Sequence, residues 1–304
     1  KKEKDGSFSG GAFYYIAYGI KQRWLGMLAA IFCLLAAVGM SGVQTNKITG
    51  SYTSVLNNDS TAVKLIIGGI VAFLAAVVII GGIKRIGRIA SMLVPFMSLL
   101  FIAMAFVIIG KNYTAIPDTF RLIFTSAFSS KAVAGGVGGF AFSQIIKKGL
   151  ARGVFSNEAG LGTSAMAHSA SDNTDGVKQS LYGIFEVFTD TVVICTLTAL
   201  TVLCSGIYIN YGATASTELV NEAFSVIYGD LSGALLALMM CLFGLSSVIG
   251  WGYYGTVCCS YVFGNKGKKL FVFIYPAACI IGVVCSADTA WRLSAFFNGI
   301  MLCV

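Results

Sequence analysis

Unbroken apolar runs of near-spanning length recur along this chain, and no other feature restricts its folding as much. After Lys64 the next charged residue is Lys84, and everything between them is apolar or glycine. About 20 such residues at 1.5 Å each match the roughly 30 Å hydrocarbon core of a bilayer. The composition agrees: 57% of the 304 residues are hydrophobic and 11% are charged. An ordinary soluble domain carries about a quarter charged residues. With a mean hydropathy of +0.82, the chain lacks the polar residues for a water-facing shell. In lipid only helices and closed barrels satisfy every backbone group. A barrel alternates apolar and polar positions, whereas these runs are continuous, so the expected fold is an all-α multi-pass membrane protein.

Net charge is +8. The basic residues cluster at the ends of apolar runs, which points to orientation in a membrane rather than to nucleic acid. The expected spans are 24–44 (continuing as helix toward Asp59), 64–83, 91–110, an interrupted segment 138–171, 179–207, 231–254, 270–286, and a last one from Trp291. Pro95 stands early enough in the third span to kink it without breaking it. Lys84–Arg88 and Asn265–Lys269 read as basic turns. With residues 1–23 cytoplasmic, alternation places both turns and 169–178 inside, while Lys147, Lys148 and Arg152 fall toward the outside as exceptions. The nine cysteines show no metal-ligand spacing and read as small buried apolar residues, with no disulfide or metal role. Residues 1–304 are expected to form one transmembrane domain, and its ends read as those of a fragment.

The interrupted segment is where function is expected. Lys147, Lys148, Arg152, Asn157 and Glu158 lie close together inside it, and intramembrane charge is expensive. Asn157, Gly160 and Gly162 disfavour continuous helix. The combination predicts a discontinuous helix, unwound over Ser156–Gly162 and facing a polar cavity. The competing reading is a surface loop between two spans. Broken helices of this kind build midplane sites in secondary transporters, where half-helix N-termini meet a carboxylate and freed carbonyls meet sodium.

The run Ala-Arg-Gly-Val-Phe-Ser-Asn-Glu-Ala-Gly-Leu-Gly-Thr-Ser-Ala-Met-Ala-His-Ser-Ala, Ala151 to Ala170, resembles the central signature of the alanine/glycine:cation symporter family. Gly10–Ile16, Gly42–Asn46, Phe188–Thr191 and Gly250–Gly255 resemble further positions of that family in order, so the likeness covers essentially the whole chain. What it implies is a LeuT-like inverted-repeat bundle, of which this chain would hold core helices from about the third to part of the tenth. The family's first core helix, with its Gly-Thr-Gly-Asn stretch for substrate and ion, is expected outside these residues.

The resemblance implies that Gln44 contacts the substrate, although Gln44 also reads as a polar residue at the end of a span. It sets Trp251 against the substrate, where an indole would limit side-chain volume; the alternative is an interfacial tryptophan. Ser246 and Ser247 resemble the hydroxyl pair that completes a sodium site, though serines in membrane helices also serve packing. Gly252 departs from the small hydroxyl residue expected there. Phe155, Ser156, Asn157 and Leu161 are the expected broken-helix side of the pocket. Glu158 reads as a partner for Arg152 or as a cap. Asp190, one turn after Glu186, reads as structural or gating. His168, the only histidine, has no hydrolase context.

The expected function is secondary active transport of alanine or glycine with sodium as coupling ion, by alternating access in a prokaryotic plasma membrane. No cofactor, no metal other than sodium, no nucleic acid and no obligate protein partner is expected. A proton-coupled amino-acid transporter of the same fold is the alternative, and an ion channel the alternative from another class. No catalytic constellation points to an enzyme.

Overall fold

The apolar runs become helices whose ends are set by capping residues and glycines. In the computed structural model, residues 8–127, 149, 153, 156–158, 160–173, 175–209, 217–285 and 287–303 are described. A short helix α1, Ala12–Tyr18, precedes α2, Arg23–Val55. At 33 residues α2 is about 50 Å long, so it crosses the bilayer and projects beyond it. Its buried face is built from small residues, among them Gly26, Ala30, Cys33, Ala37 and Gly42. Small faces let neighbouring backbones come close, which is how helices associate where lipid removes the hydrophobic drive.

Helix α3, Thr61–Ile80, starts where the Ser60 hydroxyl accepts from the Val63 N–H at 3.5 Å. Gly82, at φ 70°, turns the chain directly into α4, Gly82–Lys111. Lys84–Arg88 therefore lies in the first two turns of α4 and is not a connecting turn; the reversal needs only the glycine pair, since Gly82 holds a left-handed conformation open to it. Pro95 sits inside α4 without ending it. After a 3₁₀ turn at Tyr113–Ala115 comes α5, Ile116–Ala127.

Beyond the break described below, α6 is Ser164–Ser169 and α7 is Gly176–Val187. A π-helical turn, Phe188–Ile194, leads on into α8, Cys195–Cys204, and α9 is Thr217–Tyr228. Then α10 runs Leu231–Val284, and α11 Ala287–Cys303. Within α10, Gly264 (φ 67°, ψ −164°) leaves helical geometry and divides it into two spans. Asn265–Lys269, expected as a turn, is thus helical, and one glycine does the turning because that conformation is nearly closed to other residues.

Among the described residues, five helices are long and apolar enough to cross a membrane: Arg23–Val55, Thr61–Ile80, Gly82–Lys111, Gly176–Cys204 and Leu231–Val284. Their large apolar side chains, such as Ile66, Phe73 and Leu99, are more than half exposed, as lipid-facing residues are. The chain divides into two compact units interleaved in sequence. The first comprises 1–97, 160–175 and 233–304, the second 98–159 and 176–232.

In the first unit, Ala75, Ile79, Val248, Phe271, Tyr275 and Cys279 form a buried cluster. The Tyr275 hydroxyl donates to the Val248 carbonyl at 2.6 Å, so this large side chain is buried without an orphaned polar atom. In the second, Ala105, Ile109 and Leu197 pack together, Phe101 stacks on Phe224 at 6.4 Å, and the Tyr228 hydroxyl donates to the Met104 carbonyl at 3.1 Å. Of the cysteines, Cys33, Cys204, Cys258, Cys259 and Cys279 are buried as expected, whereas Cys195, Cys285 and Cys303 are exposed.

Candidate functional site

Helix geometry reaches Ser156 and stops. The Asn157 N–H makes a last helical bond to the Gly153 carbonyl at 3.1 Å. Glu158 (φ 50°), Gly160 (φ 77°) and Gly162 (φ 73°) then adopt left-handed conformations before α6 begins at Ser164. A left-handed glutamate is uncommon, and such strain collects at functional sites. Left-handed residues thus stand at 158, 160 and 162, inside the stretch expected to be unwound, whereas Ser156, its expected first residue, is still helical. Arg152 and Phe155 lie outside them, and so does the suggested pairing of Arg152 with Glu158.

On the second unit's side, two side-chain bonds hold the helix end. The Ser156 hydroxyl donates to the Asp190 carboxylate at 2.7 Å, and the Thr191 hydroxyl donates to the Asn157 carboxamide oxygen. The same carboxamide donates to the Gly153 carbonyl at 3.1 Å. Both acceptor and donor come from consecutive residues of the π-helical turn. Such wide turns re-aim side chains and are frequent at functional sites. Asp190 thus meets the last helical residue before the left-handed positions. Glu186, a turn earlier, is exposed.

On the first unit's side, Leu161 and Thr163 are buried and Met166 is almost wholly so. α6 and the turn before it meet their neighbours closely: the Tyr253 hydroxyl donates to the Met166 carbonyl of α6 at 3.5 Å, and a Cβ at Gly162, two residues before α6, would stand 2.4 Å from the Ala12 Cβ. His168 is half-buried in this short helix. The same unit holds Gln44, Ser246, Ser247 and Trp251. Gln44 is half-buried on α2, and a Cβ at Gly244 of α10 would stand 3.7 Å from its backbone oxygen. This close crossing brings the Gln44 level of α2 beside the start of the Ser246–Ser247 patch. The Ser246 hydroxyl donates to the Phe243 carbonyl at 2.8 Å, which leaves its oxygen lone pairs free to accept or to ligate. Ser247 is half-buried. Trp251 is buried, edge-on to Tyr254 at 5.6 Å.

Three features escaped the sequence reading. Asn46 donates to the Gly282 and Cys285 carbonyls at 3.1 and 3.0 Å, satisfying the end of α10 from α2. The π-helical turn leaves no mark in residue types. On α11, Ser294 and Asn298 are fully buried, and the Ser294 hydroxyl and both carboxamide atoms of Asn298 have no hydrogen-bond partner among the described residues. The spacing of four puts them on one helix face, and two polar residues in an apolar run were the signal to follow.

The sequence was compared with known families and proteins. The family model described as the sodium:alanine symporter family matches residues 1–304. The sodium/alanine symporter AgcS of Methanococcus maripaludis is 33% identical over 306 residues, covering 98% of this chain and 66% of that protein. The "Probable sodium/glutamine symporter GlnT" of Bacillus subtilis is 34% identical over 309 residues, covering 100% and 62%. The "Putative sodium/proton-dependent alanine carrier protein YrbD" of Bacillus subtilis is 30% identical over 319 residues, covering 99% and 64%. The chain thus spans 62 to 66% of the length of these relatives. With a match from the first residue to the last and several membrane-spanning helices behind it, the chain belongs to the sodium:alanine symporter family, a family of symporters and not of enzymes.

Proposed function

We propose that the protein is a secondary active transporter that couples sodium entry to uptake of a small neutral amino acid, alanine or glycine, across a prokaryotic plasma membrane. The observation that carries this reading is the set of three left-handed residues, Glu158, Gly160 and Gly162, between the helix end at Ser156 and α6. Such a stretch frees backbone carbonyls and N–H groups to meet a cation and the charged ends of an amino acid. Family membership and the printed names of relatives support cation coupling and an amino-acid substrate.

Within this reading Gln44, Phe155, Ser156, Asn157, Leu161 and Trp251 are substrate contacts. Ser246 and Ser247 offer hydroxyl oxygens to sodium, a hard cation that prefers oxygen ligands. Asp190 and Thr191 position the break, and Arg152 and Glu158 keep a structural or gating role. The wider architecture in this proposal is the LeuT-like inverted repeat, worked by alternating access.

The test is uptake of labelled alanine into proteoliposomes carrying the full-length protein, with and without an inward sodium gradient. Sodium-dependent accumulation that Asn157→Ala abolishes supports function and site together. A second reading, proton coupling, is favoured by the name of YrbD. Accumulation driven by a proton gradient and indifferent to sodium would select it. A sodium flux that needs no amino acid would select a channel instead.

A further inference from the structure

The polar groups at the far end of the first unit converge on one cavity. It has a volume of about 380 Å³ and is lined by Asn46, Thr49 and Gly50 of α2, by Asp59, Thr61 and Lys64 at the start of α3, and by residues 283–285 at the end of α10. In the orientation expected from the basic residues this is the outer side of the membrane. Asn46 bonds directly to the end of α10, so these two helix ends lie at the same end of the unit. At the opposite end, Tyr14 of α1 meets Tyr261 of α10 edge-on at 5.1 Å.

The lining carries both signs of charge. The Lys64 ammonium pairs with the Asp59 carboxylate at 2.7 Å, and that bond holds the Asp59 carboxyl below its usual range. Asp59 is 79% exposed and Lys64 31%. A pair this open to water contributes little to stability and parts readily. The two helix ends repeat the polarity. The start of α3 presents the positive end of its dipole, and the end of α10 the negative end. Carbonyls near that negative end are already drawn to the Asn46 amide. Positive and negative ends thus face one volume several times that of a small amino acid.

We propose that this cavity binds the zwitterionic head of an amino acid. The carboxylate takes the Lys64 ammonium and the start of α3, and the ammonium takes Asp59 and the end of α10, with Thr61 at the rim. Both charges of the internal pair are then re-paired, so no charge is left alone. An apolar solute gains nothing from such a lining, and a simple anion or cation strands one partner. The site would gather substrate at the outer face, and it is separate from the proposed contacts at Gln44, Leu161 and Trp251. The inference rests on the amino-acid substrate of the proposed function.

Equilibrium dialysis of labelled alanine against the purified full-length protein in saturating sodium tests it. The expected result is two bound alanines per protein, one of them lost in Asp59→Asn and in Lys64→Gln. Removing one charge-assisted hydrogen bond should weaken that site about tenfold or more. Lys64→Arg should retain it, and alanine methyl ester, which lacks the carboxylate, should not compete for it. Unchanged melting temperatures in the variants would establish that folding is intact. A single bound alanine, untouched by either substitution, would overturn this proposal and leave an exposed helix-start ion pair, with the transport reading standing. No bound alanine in the unaltered protein would overturn the amino-acid reading itself, and this inference with it.

Discussion

A close approach of two helices in the first unit makes a sharp stability prediction. A Cβ on Gly282 of α10 would lie 2.1 Å from the Gly42 Cα and 2.6 Å from its carbonyl carbon and oxygen. All three are backbone atoms of α2, so no side-chain rotation relieves the clash. Reaching the roughly 3.4 Å of ordinary contact requires the helices to part by about 1.3 Å. The Asn46 bonds to the Gly282 and Cys285 carbonyls, now 3.1 and 3.0 Å, lie beside this crossing and would stretch to about 4 Å, beyond hydrogen-bonding range. Two lost hydrogen bonds are worth about 1 kcal/mol each. Overpacking adds about 1–3 kcal/mol, and the better helix propensity of alanine returns about 1 kcal/mol. Gly282→Ala should therefore destabilise by about 2–4 kcal/mol, or lower the melting temperature by roughly 4–8 °C at about 2 °C per kcal/mol. Gly69→Ala on α3, where an added Cβ meets nothing within 4 Å, should be neutral or slightly stabilising. Thermal unfolding of the purified protein in detergent measures both. In a double-mutant cycle Gly282→Ala and Asn46→Leu should be strongly non-additive, because the first already removes what the second deletes. A Gly282→Ala protein melting within 1 °C of the parent, or strictly additive effects, would refute the close-packed crossing.

Three further outcomes are expected. Asn298→Leu replaces two buried, unpartnered polar atoms with a side chain of similar size, so it should raise the melting temperature, by about 1–3 kcal/mol in stability; a marked loss would mean that the carboxamide has a partner it needs. Asp190→Asn weakens the charge-assisted bond from Ser156, so hydrogen exchange measured by mass spectrometry over 153–158 should accelerate about tenfold while α10 is unchanged. Because Lys64 holds the Asp59 carboxyl below its usual value, the pair is charged at and above neutral pH and is lost only as pH falls through that lowered value. Alanine binding at the outer cavity should accordingly be flat from about pH 8 to 5 and decline below about pH 4, the ordinary aspartate value; a decline centred near pH 6.5 would point to another group.

The spans were legible because their signal is one of composition: twenty apolar residues need no partner to identify them. Their ends were less so. Lys84–Arg88 and Asn265–Lys269 look like turns because charge ordinarily sits in loops, yet both are helical, and Gly82 and Gly264 make the reversals. Charge reports where a helix leaves the hydrocarbon, not where its hydrogen bonding stops. The unwound stretch was legible because Asn157, Gly160 and Gly162 are poor helix formers inside a segment too polar for lipid. Its support was not, since the Ser156–Asp190 and Asn157–Thr191 bonds join residues 34 apart in the chain.

Residue types alone therefore determine that this chain enters a membrane as helices, that regular helix ends near Asn157, and which family signature surrounds that point. Those properties follow from local transfer free energy and local backbone preference. Only the tertiary structure decides that Ser156 bonds to Asp190, that Asn46 satisfies the end of α10, and that Asp59 and Lys64 share a cavity with two helix ends. Each depends on which backbones lie within hydrogen-bonding distance. That distance is set by how closely small residues such as Gly42 and Gly282 let the helices approach, a property of pairs of helices and of no single stretch of chain.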